Sequence, residues 1–224
     1  MTSMMKTKKH HCALFDLDGV LVDTAKYHFL AWKKIAAEFD YELTEADNEQ
    51  LKGVSRSDSL KIILSLAKKT LDEVTFESFL HQKNNDYLNL IQEVTPSDLL
   101  VGVKRTLDFL KKSKIKIGLG SASKNALIIL DKLQITSYFE TIVDGNAVQN
   151  GKPHPEVFLK GSKALNVAPE DCVVFEDSQA GIIAAKAGGM TAIALGRPES
   201  FSKMDYCFPD FEALDNEKLQ ILFN

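Results

Sequence analysis

Asp16 and Asp18 stand two residues apart in "LFDLDGVLVDT", directly after an apolar run and directly before a glycine. Two like charges where a buried strand has just ended are costly unless an opposite charge neutralises them. Three other stretches repeat the setting. Ser121, Ala122 and Ser123 follow "IKIGLG", Glu176 and Asp177 close "CVVFED", and Lys152 lies in "NGKPHPEVF", just ahead of a helical segment. If these groups converge at one end of one sheet, the four carboxylates repel one another unless a hard divalent cation sits among them. Oxygen ligands with room for water suit magnesium. Lys152 and the Ser121 hydroxyl would then face an anion beside the metal. That set describes phosphoryl transfer, in which one carboxylate attacks and the others hold metal or move a proton.

Each motif also has a plainer reading. Asp-x-Asp before glycine is often only a turn, Asp177 ahead of "SQAGIIAAKAG" would cap a helix, and the serines of "SASKN" would do the same. Lys152 would be a solvated loop lysine, and Arg56 and Lys83 surface charges. His28 and Trp32, one turn apart on a helix, would be packing residues. What sets the core groups apart is their order along the chain, each at the expected end of its own strand.

Those strands are read from short apolar runs: Cys12 to Phe15, Ile115 to Gly120, Glu140 to Gly145, Cys172 to Asp177 and Met190 to Leu195. Helix-period segments lie between them. Val103, Leu107 and Leu110 recur at i, i+4, i+7, and Ala126, Ile129, Leu130 and Leu133 at i, i+3, i+4, i+7. Alternation of this kind builds a parallel sheet covered by helices, whose ligands lie outside the carboxyl ends of the strands. From about Ala25 to Val94 only amphipathic helical candidates appear, so a helical insertion is expected after the first strand, returning near Pro96. The resulting division is a short disordered extension (1–11), an α/β catalytic core (12–23 and 97–224) and a helical cap (24–96).

Composition narrows the partners. The chain has 224 residues with a formal net charge of -4, which gives no general attraction to nucleic acid or an anionic membrane. No apolar run reaches the roughly 20 residues that span a bilayer. The opening "MTSMMKTKKHH" has no apolar stretch of signal-peptide length behind it. Cys12, Cys172 and Cys207 are widely spaced with no CxxC pair, which argues for a reducing compartment and against a structural zinc. A monomeric cytoplasmic protein acting on a small molecule is expected.

Taken together, "FDLDGVLVDT", "GSASKN", "GKPHPEVF" and "FEDSQAGIIAAKAGG" resemble the motifs of the haloacid-dehalogenase-like phosphotransferases. The likeness covers the chain from Cys12 onward and implies a Rossmann-like parallel core with a small α-helical cap inserted after the first strand. "HFLAWKKIA", "EQLKGVSRSDSL", "KNNDY" and "GRPE" look more like the phosphosugar mutases of that family than its general sugar phosphatases. The departures are Ser57, where an acidic residue is usual, and a loose match over 41–48. The resemblance implies Asp16 as nucleophile and Asp18 as general acid and base. It implies one magnesium ion held by Asp16, the Asp18 backbone carbonyl, Glu176 and Asp177. Ser121, the Ala122 backbone and Lys152 would bind the transferring phosphate. Arg56, with Ser123, Lys124 and Asn125, would bind a second one, the Arg56 fork gripping two of its oxygens. Thr24, His28, Trp32, Gly53, Val54, Ser59, Lys83 and Asn84 would lie around the sugar. The implied reaction interconverts β-D-glucose 1-phosphate and D-glucose 6-phosphate through an aspartyl phosphate, with β-glucose 1,6-bisphosphate as intermediate and priming donor. A sugar-phosphate phosphatase is the nearest alternative. A non-catalytic sugar-phosphate sensor is another, though it has no need of both Asp16 and Asp18.

Overall fold

In the computed structural model, which describes residues 9–223, six strands form one parallel sheet. They are β1 (Cys12–Phe15), β2 (Lys116–Gly120), β3 (Thr141–Val143), β4 (Cys172–Glu176), β5 (Thr191–Leu195) and β6 (Tyr206–Phe208), in the order β3-β2-β1-β4-β5-β6. Four helices follow β1 before the chain returns to the sheet: α1 (Ala25–Ala37), α2 (Glu45–Glu49), α3 (Arg56–Ala67) and α4 (Glu73–Leu90). The others are α5 (Val103–Lys112), α6 (Ala126–Lys132), α7 (Glu156–Ala164), α8 (Gln179–Ala187) and α9 (Asn216–Phe223).

The central strands read as unbroken apolar runs because both faces are covered. Ala13, Phe15, Val173, Phe175 and Ile193 pack toward α5, α6 and α9. Their neighbours Cys12, Leu14, Cys172, Val174 and Ala192 pack toward α7 and α8. The register Phe15↔Leu119 on one side and Phe15↔Phe175 on the other sets β1 between β2 and β4. The three strand ends that carry Asp16, Ser121 and Glu176 are therefore neighbours, at the point where the strand order reverses.

Helices α1 to α4 and their connections have an apolar cluster of their own, built from Trp32, Ile35, Phe39, Leu43, Leu60 and Ile63. The N-termini of α2, α3 and α4 are set by side-chain caps. Thr44 and Asp47 form a reciprocal capping box, Ser55 accepts from Asp58 N, and Asp72 accepts from Thr75 N. The segment leaves and rejoins the sheet at one place, where Leu100 N donates to Leu21 O at 3.0 Å and Val22 bridges Leu99.

All five expected strands are present, with the third trimmed to Thr141–Val143. β6 was not expected: three half-buried residues at the sheet edge carry too little periodicity to stand out. The expected extension requires a correction. Residues 1–8 lie outside the described residues, but His10 and His11 belong to the fold. His11 N donates to Asp171 O at 2.9 Å. His10 is buried, with Nδ1 2.7 Å from Leu222 O and Nε2 2.8 Å from Thr191 Oγ1, its ring edge-on to Phe223. Two histidines after a lysine run look like solvated tail because the groups they meet lie far away in sequence. His10→Ala leaves buried polar atoms on Leu222 and Thr191 without this partner and should lower stability by about 1–3 kcal/mol, read from a urea melt.

Candidate active site

Asp16 leaves β1 with its backbone N–H donated to Phe175 O at 3.0 Å, so the turn after the strand remains tied to β4. Gly19 then takes a φ of +77°, and a Cβ there would sit 1.9 Å from Asp177 Oδ2. Only glycine permits both the backbone angle and the approach of the acid. On the neighbouring strand, Ser121 N donates to Val143 O, and Ser121 Oγ accepts from Ser123 N at 3.1 Å. At the end of β4, Ser178 caps α8 by accepting from Gly181 N, while Glu176 Oε2 accepts from the Ser178 N–H and hydroxyl, each at 2.8 Å. Ser178, not Asp177, is thus the helix cap, which leaves the Asp177 carboxylate available to the site.

Lys152 sits at the centre, with Nζ 2.5 Å from Asp16 Oδ1 and 2.6 Å from Glu176 Oε1, all three side chains buried. Burial opposes its charge, but the two carboxylates outweigh that and hold its pKa above the ordinary lysine value. Burial pushes Asp16 up to about 7, against the pull of Lys152 and with the repulsion of Glu176. Asp177 is pushed well up by burial, Glu176 and Asp16. Asp18 is raised by burial, and the Thr24 hydroxyl that donates to Asp18 Oδ1 offsets part of the shift. One ammonium therefore faces an excess of carboxylates. Oxygens of Asp16, Glu176 and Asp177 lie within 4.8 Å of one another. Hard oxygen donors carrying uncompensated negative charge are a set that magnesium fits.

Across the cleft the balance reverses. Lys83, only 2 % exposed, bonds His28 Nδ1 at 2.7 Å, between the rings of Trp32 and Tyr87. Burial brings Lys83 down to about 7, helped by Arg56 and opposed by Asp18. Burial also holds His28 well below its usual range, with Lys83 and Arg56 adding to the shift. His28 Nε2 lies 3.7 Å from Asp18 Oδ1, linking the helical segment to the core. A second link is the Asn84 amide oxygen, which accepts from Arg56 at 2.7 Å and from Asn125 at 2.9 Å. Gly53 packs so tightly on the core that a Cβ would lie 2.2 Å from Ser178 Oγ. The cleft, partly open to solvent, holds about 80 Å³ of free space.

A family profile described as haloacid dehalogenase-like hydrolase matches residues 13–195. The chain belongs to the haloacid dehalogenase-like hydrolase family. It is 47% identical over 186 residues to a β-phosphoglucomutase of Bacillus subtilis, covering 82% of each chain. It is 34% identical to a phosphorylated carbohydrates phosphatase of Thermotoga maritima, over 80% of this chain and 82% of that one. Among solved structures, a β-phosphoglucomutase from Clostridium difficile superposes with a TM-score of 0.92 at 40% identity, covering 96% of this chain and 97% of the other.

For this member of the haloacid dehalogenase-like family, the sequence-derived residues converge. Asp16, Asp18, His28, Trp32, Gly53, Val54, Arg56, Ser59, Lys83, Ala122, Ser123, Lys124, Asn125 and Asp177 line the cleft. Thr24, Asn84, Ser121, Lys152 and Glu176 are not on its lining; Thr24, Asn84 and Ser121 bond residues that are, while Lys152 bonds Asp16 and Glu176. Lys83 is no surface charge. Sequence reasoning missed Ala25, Asn48, Leu51 and Lys52, which also line it. Lys52 had a usable signal, a cation just before the Gly53 turn. Leu51 and Ala25 had none, since apolar lining and apolar core look alike. Tyr87, stacked on His28 with centroids 4.0 Å apart, was hidden in the same way.

The state of Lys83 has a measurable consequence. Its folded pKa of about 7 lies below the ordinary lysine value. Between the two, the unfolded chain binds more protons, so stability attributable to Lys83 rises with pH. The wild-type unfolding free energy should therefore increase relative to that of Lys83→Met from about pH 7 to pH 10. Paired urea melts check this, and a flat or falling difference would show that the amine keeps its charge in the fold.

Proposed function

We propose that the protein is a magnesium-dependent phosphosugar mutase that interconverts β-D-glucose 1-phosphate and D-glucose 6-phosphate. The observation that carries this reading is the presence of two anion-binding poles in one cleft. At one, Lys152 stands beside acids that would hold a magnesium ion, and at the other Arg56 is braced through Asn84 to Asn125. An enzyme that only hydrolyses a monophosphate needs the first. A bisphosphate, with a phosphate at each end, needs both. The likeness to β-phosphoglucomutases of Bacillus subtilis and Clostridium difficile favours the same substrate.

In this reading a carboxylate oxygen of Asp16 attacks phosphorus, the bond from phosphorus to the sugar oxygen breaks, and Asp18 gives that oxygen a proton. In the return direction Asp18 takes the proton from the accepting hydroxyl, and the phosphoryl group leaves Asp16. The upward shift of Asp18 suits a group that must hold a proton before giving it away. Lys152, the Ser121 hydroxyl and the Ala122 N–H bind the phosphoryl oxygens, with the buried ammonium meeting their charge where water cannot screen it. One magnesium ion would be held by Asp16, Glu176, Asp177 and the Asp18 carbonyl, adding positive charge to that pole. Arg56, Ser123, Lys124 and Asn125 grip the distal phosphate. His28, Trp32, Gly53, Val54, Ser59, Lys83 and Asn84 orient the sugar, and Thr24 steers Asp18. Residues 24–96 act as a cap over the core of 12–23 and 97–224, shutting water away from the aspartyl phosphate. β-Glucose 1,6-bisphosphate serves as intermediate and priming donor, and the enzyme works as a cytoplasmic monomer.

Phosphorus NMR of β-glucose 1-phosphate with magnesium and a trace of bisphosphate tests the reading. Glucose 6-phosphate is the expected product, and Asp16→Asn should yield none. Free phosphate as the sole product would overturn it in favour of the phosphatase activity of the Thermotoga maritima relative.

Arg56→Ala should separate the two poles. Mutase turnover should fall about 100-fold or more, because the sugar loses its orientation as well as a contact. Phosphate release from enzyme already charged with acetyl phosphate should hardly change. Equal loss of both would place Arg56 in the support of the core site.

A further inference from the structure

A second groove, with about 510 Å³ of free space, opens on the outer side of Arg56 and shares Arg56, Ala122 and Lys124 with the catalytic cleft. One wall is the first turns of α3, where Lys61 stands 3.2 Å from Asp58. The other is α4, with Glu77 and His81, and the floor is the core loop that carries Gly145, Gln149 and Gly151. The groove straddles the same junction as the cleft, since a Cβ on Gly151 would lie 3.4 Å from that of Ser55. Arg56 has five N–H donors in a planar fork, and its bond to Asn84 uses one of them, so the guanidinium can serve ligands on both sides. Lys124 is exposed and borders both spaces.

We propose that this groove is a staging site for phosphorylated sugars, in which a phosphate rests on Lys61, Lys124 and the outer edge of Arg56 before entering the cleft and after leaving it. This rests on the mutase reading, which requires a bisphosphate to exchange its two phosphates between the poles. The cleft holds about 80 Å³ of free space and the groove about 510 Å³, so the groove offers room for that turn while keeping contact with the distal clamp. Its charge suits the task. Lys61 and Asp58 form an ion pair, with the Ser55 hydroxyl also on Asp58, so Arg56 and Lys124 are left facing Glu77. A mildly positive, open site attracts an anion without trapping it, and raises the rate of encounter in a salt-dependent way.

The test compares the wild type with Lys61→Glu and Gln149→Trp, neither of which touches the cleft lining. One reverses an exposed charge of the groove and the other narrows it. For β-glucose 1-phosphate, kcat/KM should fall about tenfold in both variants, and Lys61→Glu should lose most of the wild-type dependence on ionic strength. Phosphate release from enzyme already charged with acetyl phosphate should be unchanged. The proposal is overturned if both variants keep kcat/KM within about twofold of wild type, or if phosphate release falls in parallel with it. The product formed by the wild type, glucose 6-phosphate or free phosphate, judges the mutase reading separately, because the ratio of variant to wild type can be read with either product.

Discussion

Lys152 holds its ammonium between Asp16 and Glu176 in a space closed to water, and the arrangement of the core follows from keeping that charge in register. Carboxylates can converge there only because β1 lies between β2 and β4 and all three strands end together. Parallel pairing supplies the convergence without any long side chain having to reach for it. The acids then dictate their surroundings. Gly181 lies where a Cβ would be 1.8 Å from Glu176 Oε1, and Gly19 makes the corresponding room for Asp177. Ser178 meets one oxygen of Glu176 while Lys152 meets the other, so this fully buried carboxylate has partners on both sides.

The helical segment carries the opposite imbalance. Burial lowers the affinity of both Arg56 and Lys83 for protons, Arg56 adds to the shift at Lys83, and burial keeps His28 neutral between Lys83 and Asp18. An excess of negative charge on the core thus faces an excess of positive charge above it. Magnesium on one side and a phosphate dianion on the other would relieve both. The cleft is electrostatically unfinished in a way that a metal and a phosphorylated ligand complete.

Much of this was legible in the sequence because it is local. The five apolar runs, the acids that end two of them and the periodic helices each lie within a few residues, and the joint order of the core groups pointed to one sheet edge. The partners of Lys83 were not legible: Tyr87 lies one turn on in the same helix, but a lysine on an amphipathic helix carries no sign that Trp32 and His28, distant in sequence, will close over it. The same holds for His10, whose burial depends on α9 at the far end of the chain. Asp177 was ambiguous for a different reason. Two adjacent residues, Asp177 and Ser178, are both good helix caps, and only the path of the backbone decides which one turns inward.

The short backbone bridge from Val22 to Leu99 means that the ends of the whole helical segment lie side by side. To the sheet, everything in between is equivalent to a tight turn, because neither the register of β1 nor that of β2 depends on how far the chain wanders before it returns. The core is in this sense a socket. Segments of other lengths and shapes could be grafted at the same two residues without moving the acids, and the chemistry would stay constant while the choice of molecule admitted to it changed.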